Sequence, residues 1–323
     1  MKPVGLTIAA VAAALLAACG QGGGPANDGG MVVGFSQIGS ESGWRTAETN
    51  AARKAAETRK VDLRISDAQQ RQENQIKAIR AFIAQGVEGI LLAPVVATGW
   101  DQVLKEAKAA NIPVILVDRQ IETADPSLYL SAVTSDQVLE GRTAGEWLTK
   151  AAANRECGVV ELQGTVGSSP AIARKKGFDE AVSKAPNVKV LRSQSGDFTR
   201  AKAKEVMESA IKSLGGDNIC AVYAHNDDMM IGAIQAMKEA GLKPGKDVLT
   251  VSIDAVPDIF KAMAEGEANA TVELTPEMVG PALDMLAAYK KDGKAPPKWH
   301  QTPTKLFLPD TAAAEYERRK DLY

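Results

Sequence analysis

Short apolar runs alternate with longer amphipathic stretches in the first half of this chain, and the alternation predicts strands followed by helices. Runs rich in Val and Ile, typical of buried strands, occur at residues 31–36, 61–66, 89–93, 113–117 and 128–133. Stretches rich in Ala, Glu and Lys with helical spacing separate the first four runs, at residues 44–60, 70–85 and 101–110. Alternating strands and helices favour a parallel sheet that helices cover on both faces.

The same pattern restarts in the second half of the chain. Further strands are predicted at residues 158–162, 188–192, 219–223, 248–253 and 270–273. Further helices are predicted at residues 171–185, 200–214, 227–240 and 257–265. The pattern therefore predicts an α/β protein with two doubly wound parallel-sheet units. A helix at 276–291 and a Pro-rich tail from residue 295 remain, and we expect them to pack across the two units.

The N-terminal segment breaks this pattern. Lys2 and an apolar stretch over residues 8–16 precede Ala17-Ala18-Cys19, which predicts a secretory signal peptide over residues 1–18. The apolar stretch is too short for a bilayer span of about 20 residues. A Cys directly after Leu-Ala-Ala resembles a bacterial lipobox, so we expect lipidation of Cys19 and a flexible Gly-rich linker over residues 19–30. A plain signal peptide cut after Ala18, or a cytosolic helix, is the alternative.

Composition and cysteine count narrow the classes of function. Lys and Arg total 38 against 40 Asp and Glu, so no basic surplus indicates nucleic acid. The chain holds only 2 His, which argues against a His-rich metal site. In an exported protein, the remaining Cys157 and Cys220 predict one disulfide. They open strands that are neighbours in a 2-1-3-4-5 sheet, close enough for a bridge. Two buried free thiols are the alternative.

Polar residues follow the predicted strands, where open parallel sheets bind ligands. The candidates at these strand ends are Ser36, Asp118, Arg119, Asn226, Asp254 and Glu273. Carboxylate, guanidinium and amide groups together suit sugar hydroxyls, because a hydroxyl both donates and accepts hydrogen bonds. A salt-bridged turn is the alternative for Asp118 and Arg119, and a helix N-cap is the alternative for Asp254.

Two aromatic residues add a second kind of contact. Trp44 follows the first strand in a loop of small and polar residues, and Phe198 opens a helix of the second unit. Such rings can stack on the apolar face of a sugar. Helix anchoring for Trp44 and a capping-region hydrophobe for Phe198 are the alternatives. No phosphate-binding loop, nucleophile elbow or nucleophile–base pair appears, so we expect neither enzymatic activity nor a cofactor. His225 to Asp228 are not expected to bind a metal.

Several long segments carry a resemblance to a known family. They are GFSQ at 34–37, GSESGWRTAET at 39–49, DAQQRQENQ at 67–75, LAPVVATGW at 92–100, GDFTR at 196–200, HNDDM at 225–229, VSIDAVPDIF at 251–260 and GEANATVELTP at 266–276. With them the chain, from residue 31 to the C-terminal tail, resembles the periplasmic sugar-binding proteins of ABC importers, of the ribose-binding type. Among these it is most similar to galactofuranose-binding members.

The resemblance implies a type I periplasmic binding protein, with two lobes joined by a three-stranded hinge. We expect an N-terminal lobe of residues 31–134 plus about 275–298. The C-terminal lobe would comprise residues 135–274 plus about 299–323. By position, the implied ligand contacts are Ser36, Trp44, Arg45, Asp118, Arg119, Phe198, Asn226 and Asp254.

Two positions depart from the ribose-binding pattern. Ala93 stands where ribose binders have Asn, and Ile172 stands where an Arg is expected, with Arg174 two residues later. Arg174 is then expected to take over the role of the missing arginine. Both departures weigh against ribose and agree with the galactofuranose-type likeness.

The resemblance also implies a binding function without catalysis. We expect a monomeric solute receptor that captures a monosaccharide between its lobes and hands it to an ABC permease. It would work in the periplasm or at the cell surface, held to a membrane only through Cys19. A sugar-sensing receptor that feeds a chemoreceptor or sensor kinase is the alternative. A repressor core of the same fold would need a DNA-binding headpiece where the signal and linker stand.

Overall fold

The computed structural model describes residues 30–153 and 155–323. The predicted signal peptide, the expected lipidation site Cys19 and the predicted linker up to residue 29 lie outside the described residues. In the part described, none of the helices is long and apolar enough to cross a membrane.

Two six-stranded sheets form the framework, each wound in the same way. The elements before the first connection are β1 (Val32–Gln37), α1 (Gly43–Arg59), β2 (Asp62–Asp67), α2 (Gln72–Ala84), β3 (Gly89–Leu92), α3 (Asp101–Ala109), β4 (Val114–Val117) and β5 (Ser131–Thr134). Next come α4 (Gln137–Ala151), β6 (Cys157–Gln163), α5 (Ser169–Val182), β7 (Val188–Ser195), α6 (Arg200–Leu214), β8 (Ala221–Ala224), α7 (Asp227–Glu239), β9 (Leu249–Asp254), α8 (Pro257–Ala264) and β10 (Ala270–Glu273). The chain closes with α9 (Val279–Asp292), β11 (Trp299–Gln301), β12 (Leu306–Phe307) and α10 (Ala312–Arg319).

The strand orders are β11-β5-β4-β3-β1-β2 and β12-β10-β9-β8-β6-β7. The five main strands of each sheet therefore follow the predicted 2-1-3-4-5 order, and they pair in parallel. Strands β3 and β4 are buried along their whole length. Continuous apolar runs of this kind are expected where helices cover both faces of a parallel sheet.

Three connections link the two sheets, between β5 and α4, between β10 and α9, and between β11 and β12. The helix and tail that the pattern left over are divided between the sheets. Helix α9 packs on α1 and the first sheet, and β11 pairs with β5. Strand β12 pairs with β10, and α10 packs on α8. The last connection thus lies between residues 301 and 306, a few residues beyond the expected lobe boundary near 298.

Helix α4 was absent from the sequence prediction because two glycines, Gly141 and Gly145, weaken its helical signal. The fold requires the first of them. A Cβ atom on Gly141 would lie 2.0 Å from the backbone oxygen of Arg174 on α5. Gly177 on α5 is constrained in the same way, 2.0 Å from the backbone oxygen of Val138. These close approaches let α4 and α5 pack backbone against backbone, at the expense of local helix propensity.

The predicted disulfide is present. Cys157 lies at the start of β6 and Cys220 directly precedes the neighbouring β8, and their Cα atoms are 4.9 Å apart. The bridge lies at the amino ends of these strands. It therefore ties the second sheet at the edge opposite the strand ends that carry the candidate site.

Candidate functional site

One closed cavity gathers most of the predicted site residues. It lies at the carboxyl ends of the strands, between the two lobes, and leaves about 20 Å³ of free space. Eight of the ten predicted ligand-contact residues line it: Trp44, Arg45, Asp118, Arg119, Arg174, Phe198, Asn226 and Asp254. The remaining lining residues were not predicted: Glu41, Ser42, Pro170 and Leu274.

Ser36 and Glu273 do not line this cavity. Ser36 is buried, and its hydroxyl has no hydrogen-bond partner among the residues the structure describes. The Glu273 carboxylate faces away, and its Oε1 lies 2.5 Å from Nη2 of Arg319 on α10. An ion pair with the C-terminal helix therefore occupies the side chain that was expected to contact ligand.

Arg45 is the centre of the wall that the first lobe contributes. It lies in the first turn of α1, where the Ser42 hydroxyl caps the helix by accepting from the Arg45 backbone N–H at 3.1 Å. Its guanidinium donates to Asp118 Oδ2 at 2.6 Å, to Glu41 Oε1 at 3.2 Å and to Glu48. Burial alone would lower the pKa of Arg45, but these three carboxylates together raise it. The guanidinium therefore stays charged.

Asp118 and Arg119 complete this wall at the end of β4. The Asp118 backbone has a φ of 61°, and its carbonyl accepts from the Gln137 side chain at 2.9 Å. Arg119 donates from Nη1 to the carbonyl of Val95 at 2.9 Å, while its Nε has no hydrogen-bond partner within the described residues. Burial, followed by the positive charge of Arg45, lowers the pKa of Arg119 to about 10. Arg119 remains a cation at neutral pH, with a donor left over for a ligand.

The two rings close the cavity in different ways. The Trp44 indole N–H donates to the carbonyl of Leu274 at 2.8 Å, so this ring is anchored to a connection between the lobes while it lines the cavity. Phe198 comes from the second lobe, and its ring lies 5.2 Å from the guanidinium carbon of Arg119. That distance is within the range of a cation–π contact across the cleft.

Asn226 holds the second wall in place at the end of β8. Its side-chain oxygen accepts from the backbone N–H of Met229 at 2.9 Å and so caps α7. Its Nδ2 donates to the carbonyl of Phe198 at 3.3 Å. The backbone of Phe198 has a φ of 61°, a conformation that is rare for a bulky residue. The amide of Asn226 thus supports the loop that presents the Phe198 ring.

Arg174 and Asp254 face each other across the cavity without a close contact. Arg174 donates to Glu140 Oε2 at 2.8 Å and to the carbonyl of His225 at 2.6 Å, and its Nη2 is 4.0 Å from Asp254 Oδ1. Burial alone would lower the pKa of Arg174, but the carboxylates of Glu140 and Asp254 outweigh that effect, so the pKa is raised overall. Within the described residues, no hydrogen bond reaches the Asp254 carboxylate, and burial raises its pKa well above the ordinary value.

Asp254 is not a helix cap, which was the alternative for it. Helix α8 has Val256 at its N-cap position, without a capping side chain. The backbone at Asp254 has a φ of 129°, and Ala255 follows with 64°. The buried Asp227 fixes this turn, because its Oδ2 accepts from the backbone N–H of Val256 at 2.9 Å. The turn therefore aims the Asp254 carboxylate into the cavity.

Three acidic residues of this network were missed by sequence reasoning. Glu41 and Glu48 lie four residues before and three residues after Arg45, so helical spacing could have found them. Glu140 lies on α4, the helix that was not predicted. Sequence offered no signal for its pairing with Arg174, because the two residues belong to different elements.

The two lobes also touch directly around the cavity. Across the cleft, the Gly43 N–H donates to Asp228 Oδ2 at 2.9 Å and the Ala97 N–H donates to the Gly167 carbonyl at 2.8 Å. The Gln120 N–H donates to the Ser169 hydroxyl at 2.9 Å. The structure is therefore a closed form, in which a small molecule in the cavity would contact both lobes and little solvent.

Comparison with known proteins agrees with this geometry. Residues 33–295 match the periplasmic binding protein domain, and the chain belongs to this family. It has the type I fold of that family. Its relatives are sugar-binding proteins and not enzymes.

Individual relatives cover nearly the whole described chain. The galactofuranose-binding protein YtfQ of Escherichia coli is 65% identical over 293 residues, 90% of this chain and 92% of the relative. A crystal structure of a galactofuranose-binding protein superposes with a TM-score of 0.90 at 65% identity, covering 90% of this chain and 99% of that one. The arabinose-transporter binding protein of Shewanella sp. ANA-3, bound to α- and β-L-arabinofuranose, gives 0.88 at 56% identity, with 90% and 96% covered.

Proposed function

We propose that this protein captures a monosaccharide in its furanose form within the closed cavity and delivers it to an ABC importer. The observation that carries the proposal is the lining of the cavity. Both lobes contribute buried charged or amide side chains, and the rings of Trp44 and Phe198 line the same space. Import is favoured over sensing because the relatives include the binding component of an arabinose ABC transporter.

Unpaired polar atoms in the cavity support a ligand that carries hydroxyl groups. Arg119 Nε and one oxygen of Glu41 are buried without a hydrogen-bond partner among the described residues. Sugar hydroxyls would satisfy both atoms, since a hydroxyl accepts from one and donates to the other.

The furanose form is supported by the relatives. A binding protein 65% identical is named for galactofuranose, and one 56% identical is bound to arabinofuranose. Loss of any paired hydroxyl would leave a buried charged group unsatisfied, which gives such a site strong discrimination. We infer that galactofuranose or a sugar of similar shape is the ligand, with Asp118, Arg119 and Asp254 among its polar contacts.

Closure would couple capture to delivery. Sugar that contacts both lobes binds the closed form better than an open one, so it shifts the population toward closure. We further propose that the protein acts as a monomer and that Cys19, lipidated after export, tethers it by the Gly-rich linker. A tether of this kind would keep the receptor at high effective concentration near its permease.

The ring form can be tested with sugars that close in only one way. 5-Deoxy-L-arabinose lacks the hydroxyl that forms a six-membered ring and exists as a furanose, whereas 4-deoxy-L-arabinose can form only a pyranose. Each analogue lacks one hydroxyl, so the pair is matched. We expect calorimetry of protein freed of carried-over sugar to show binding of the first analogue and not of the second, and likewise for the corresponding D-galactose analogues.

The reverse preference would contradict the furanose assignment while leaving sugar capture intact. Failure of the protein to bind any monosaccharide, including L-arabinose and D-galactose, would contradict the proposed function as a whole.

A further inference from the structure

Asp228 joins the two lobes at a point outside the cavity. Its Oδ2 accepts from the backbone N–H of Gly43 at 2.9 Å, and Gly43 is the first residue of α1 in the opposite lobe. The Asp228 side chain is only 3% exposed, yet it is absent from the residues that line the cavity. Its buried position is therefore explained by contact between the lobes and not by contact with ligand.

The carboxylate is held from behind by its own lobe. Arg200 donates from Nε to Asp228 Oδ1 at 2.5 Å, and its Nη2 donates to Asp258 Oδ2 at 2.6 Å. All three side chains belong to the second lobe, on α6, α7 and α8. One oxygen of Asp228 is thus occupied by a cation while the other points across the cleft. A hydrogen bond with an ionised acceptor is roughly twice as strong as a neutral one.

The partner on the first lobe is a group that needs an acceptor. The first backbone N–H groups of a helix have no partner within the helix, and they form the positive end of its dipole. The Ser42 hydroxyl satisfies the N–H of Arg45, and Asp228 satisfies that of Gly43. Trp44 and Arg45 follow directly and line the cavity. The contact therefore fixes the start of α1, the segment that carries two of the ligand-facing side chains.

We propose that Asp228 is a closure residue, which raises sugar affinity by stabilising the closed form without touching the sugar. When the lobes separate, the Gly43 N–H and the Asp228 carboxylate return to water, so their hydrogen bond contributes only to the closed form. An interaction present in one of two conformations shifts the equilibrium between them. The inference rests on the proposed capture of sugar between the lobes and names a further residue that sets its strength.

The direct test replaces the charge and keeps the shape. In Asp228→Asn, we expect the affinity for L-arabinose and D-galactose to fall by about tenfold, the difference between a charged and a neutral hydrogen bond. The loss should appear in the dissociation rate, with the association rate nearly unchanged. A fluorophore pair, one on each lobe, should report a more open population at subsaturating sugar. Asp258→Asn is the matched control, since it removes the other partner of Arg200 and should leave the affinity unchanged.

A second pair of variants changes the Gly43 end of the same hydrogen bond, in the first lobe. Proline is well tolerated at the first position of a helix, and the Ser42 backbone at φ −140° and ψ 161° suits the residue before proline. Gly43→Pro removes the N–H and should weaken binding more than Asp228→Asn does. Gly43→Ala keeps the N–H, and its Cβ would lie 3.5 Å from Asp228 Oδ2, which is an ordinary contact. The loss of sugar affinity in Gly43→Ala should therefore be smaller than in Gly43→Pro.

Adding Asp228→Asn to Gly43→Pro should produce little further loss, because the bond is already absent. Equal dissociation rates in Asp228→Asn, Asp258→Asn and the wild type would overturn the closure role while leaving sugar capture intact. A wild type that binds neither sugar would instead remove the proposed function, and the closure role with it.

Discussion

Two aspartates occupy matching positions in the two lobes and are paired differently. Asp118 directly follows β4, the fourth strand of the first sheet along the chain, and Asp254 ends β9, the fourth strand of the second sheet. Both have a positive φ, 61° and 129°. Each faces an arginine, Arg45 or Arg174, from the helix that follows the first strand of its own sheet.

The two lobes differ in how closely the arginine approaches the aspartate. Arg45 reaches Asp118 at 2.6 Å, whereas Arg174 stops 4.0 Å from Asp254. Glu140 and the carbonyl of His225 hold Arg174 back in the second lobe. The first lobe therefore presents an aspartate that is already paired with Arg45, although Nε of Arg119 still lacks a hydrogen-bond partner among the described residues. The second lobe presents a carboxylate that no side chain of the described residues reaches with a hydrogen bond, since Arg174 lies 4.0 Å away.

This difference indicates that the first-lobe wall and the second-lobe wall of the cavity contribute to binding in different ways. A preorganised network lowers the cost of binding, because few side chains must be ordered when ligand arrives. An unsatisfied buried carboxylate does the opposite: it is unfavourable alone and gains most from a ligand hydroxyl. The protein combines a rigid platform in one lobe with an unpaired acceptor in the other. A ligand hydroxyl that donates to Asp254 would then stabilise the closed form.

The largest effect on stability and sugar affinity should come from removing Asp118, the aspartate that is paired with an arginine. Asp118→Ala leaves Arg45 and Arg119 buried with too little negative charge, and we expect the free energy of unfolding to fall by about 3–5 kcal/mol. Sugar affinity should also fall by at least about 100-fold. Urea denaturation and calorimetry measure the two losses. Asp67→Ala, at the exposed end of the edge strand β2, is the control and should change neither quantity strongly. Unchanged stability in Asp118→Ala would contradict the preorganised network.

A smaller effect, confined to sugar affinity, is expected from changing Asp254 in the second lobe. Asp254→Asn should weaken sugar binding by about 10- to 100-fold, since a hydrogen bond to a charged group is worth about 1.5–3 kcal/mol. The sugar-free protein should be as stable as the wild type or more stable, because the variant removes a buried carboxyl group that accepts no hydrogen bond, and Arg174, 4.0 Å away, keeps Glu140 as its partner. Asparagine also tolerates a positive φ. A loss of stability as large as that of Asp118→Ala would show that the two aspartates are equivalent after all.

The smallest effect concerns the pH dependence of the paired network. Burial raises the pKa of Glu48 from 4.5 to about 7, although Arg45 lowers it. The folded state therefore keeps a proton that the unfolded state releases, and stability falls as pH rises through about 7. Between pH 6 and pH 8 this amounts to about 1 kcal/mol for one such group.

Glu48→Gln should flatten the decline in unfolding free energy between these pH values by that amount. The buried Asp227, whose pKa burial also raises to about 7, contributes a decline of the same sign that the variant retains. Glu57→Gln, at an exposed position of the same helix, should follow the wild type. A wild type whose stability rises from pH 6 to pH 8 would contradict the direction inferred for Glu48.

Much of the fold could be predicted because its signals are local. Apolar runs and helical spacing located the main strands of both sheets, and the expected strand order made Cys157 and Cys220 neighbours. The rule that ligands bind at the carboxyl ends of parallel strands indicated six residues, and four of them, Asp118, Arg119, Asn226 and Asp254, line one cavity. These predictions succeeded because burial and strand direction are encoded within a few residues of each position.

The failures are of another kind, and they follow from partners that are distant in sequence. Helix α4 was hidden by Gly141, which only the close approach of α5 explains. Glu273 was expected at the ligand, but α10 supplies Arg319, 46 residues later, as its partner.

The sequence by itself thus indicated most of the residues that stand at the cleft. Only the tertiary structure decided which charges neutralise one another and which remain for a ligand. Electrostatic pairing depends on separations of a few ångströms between elements whose packing no local pattern specifies.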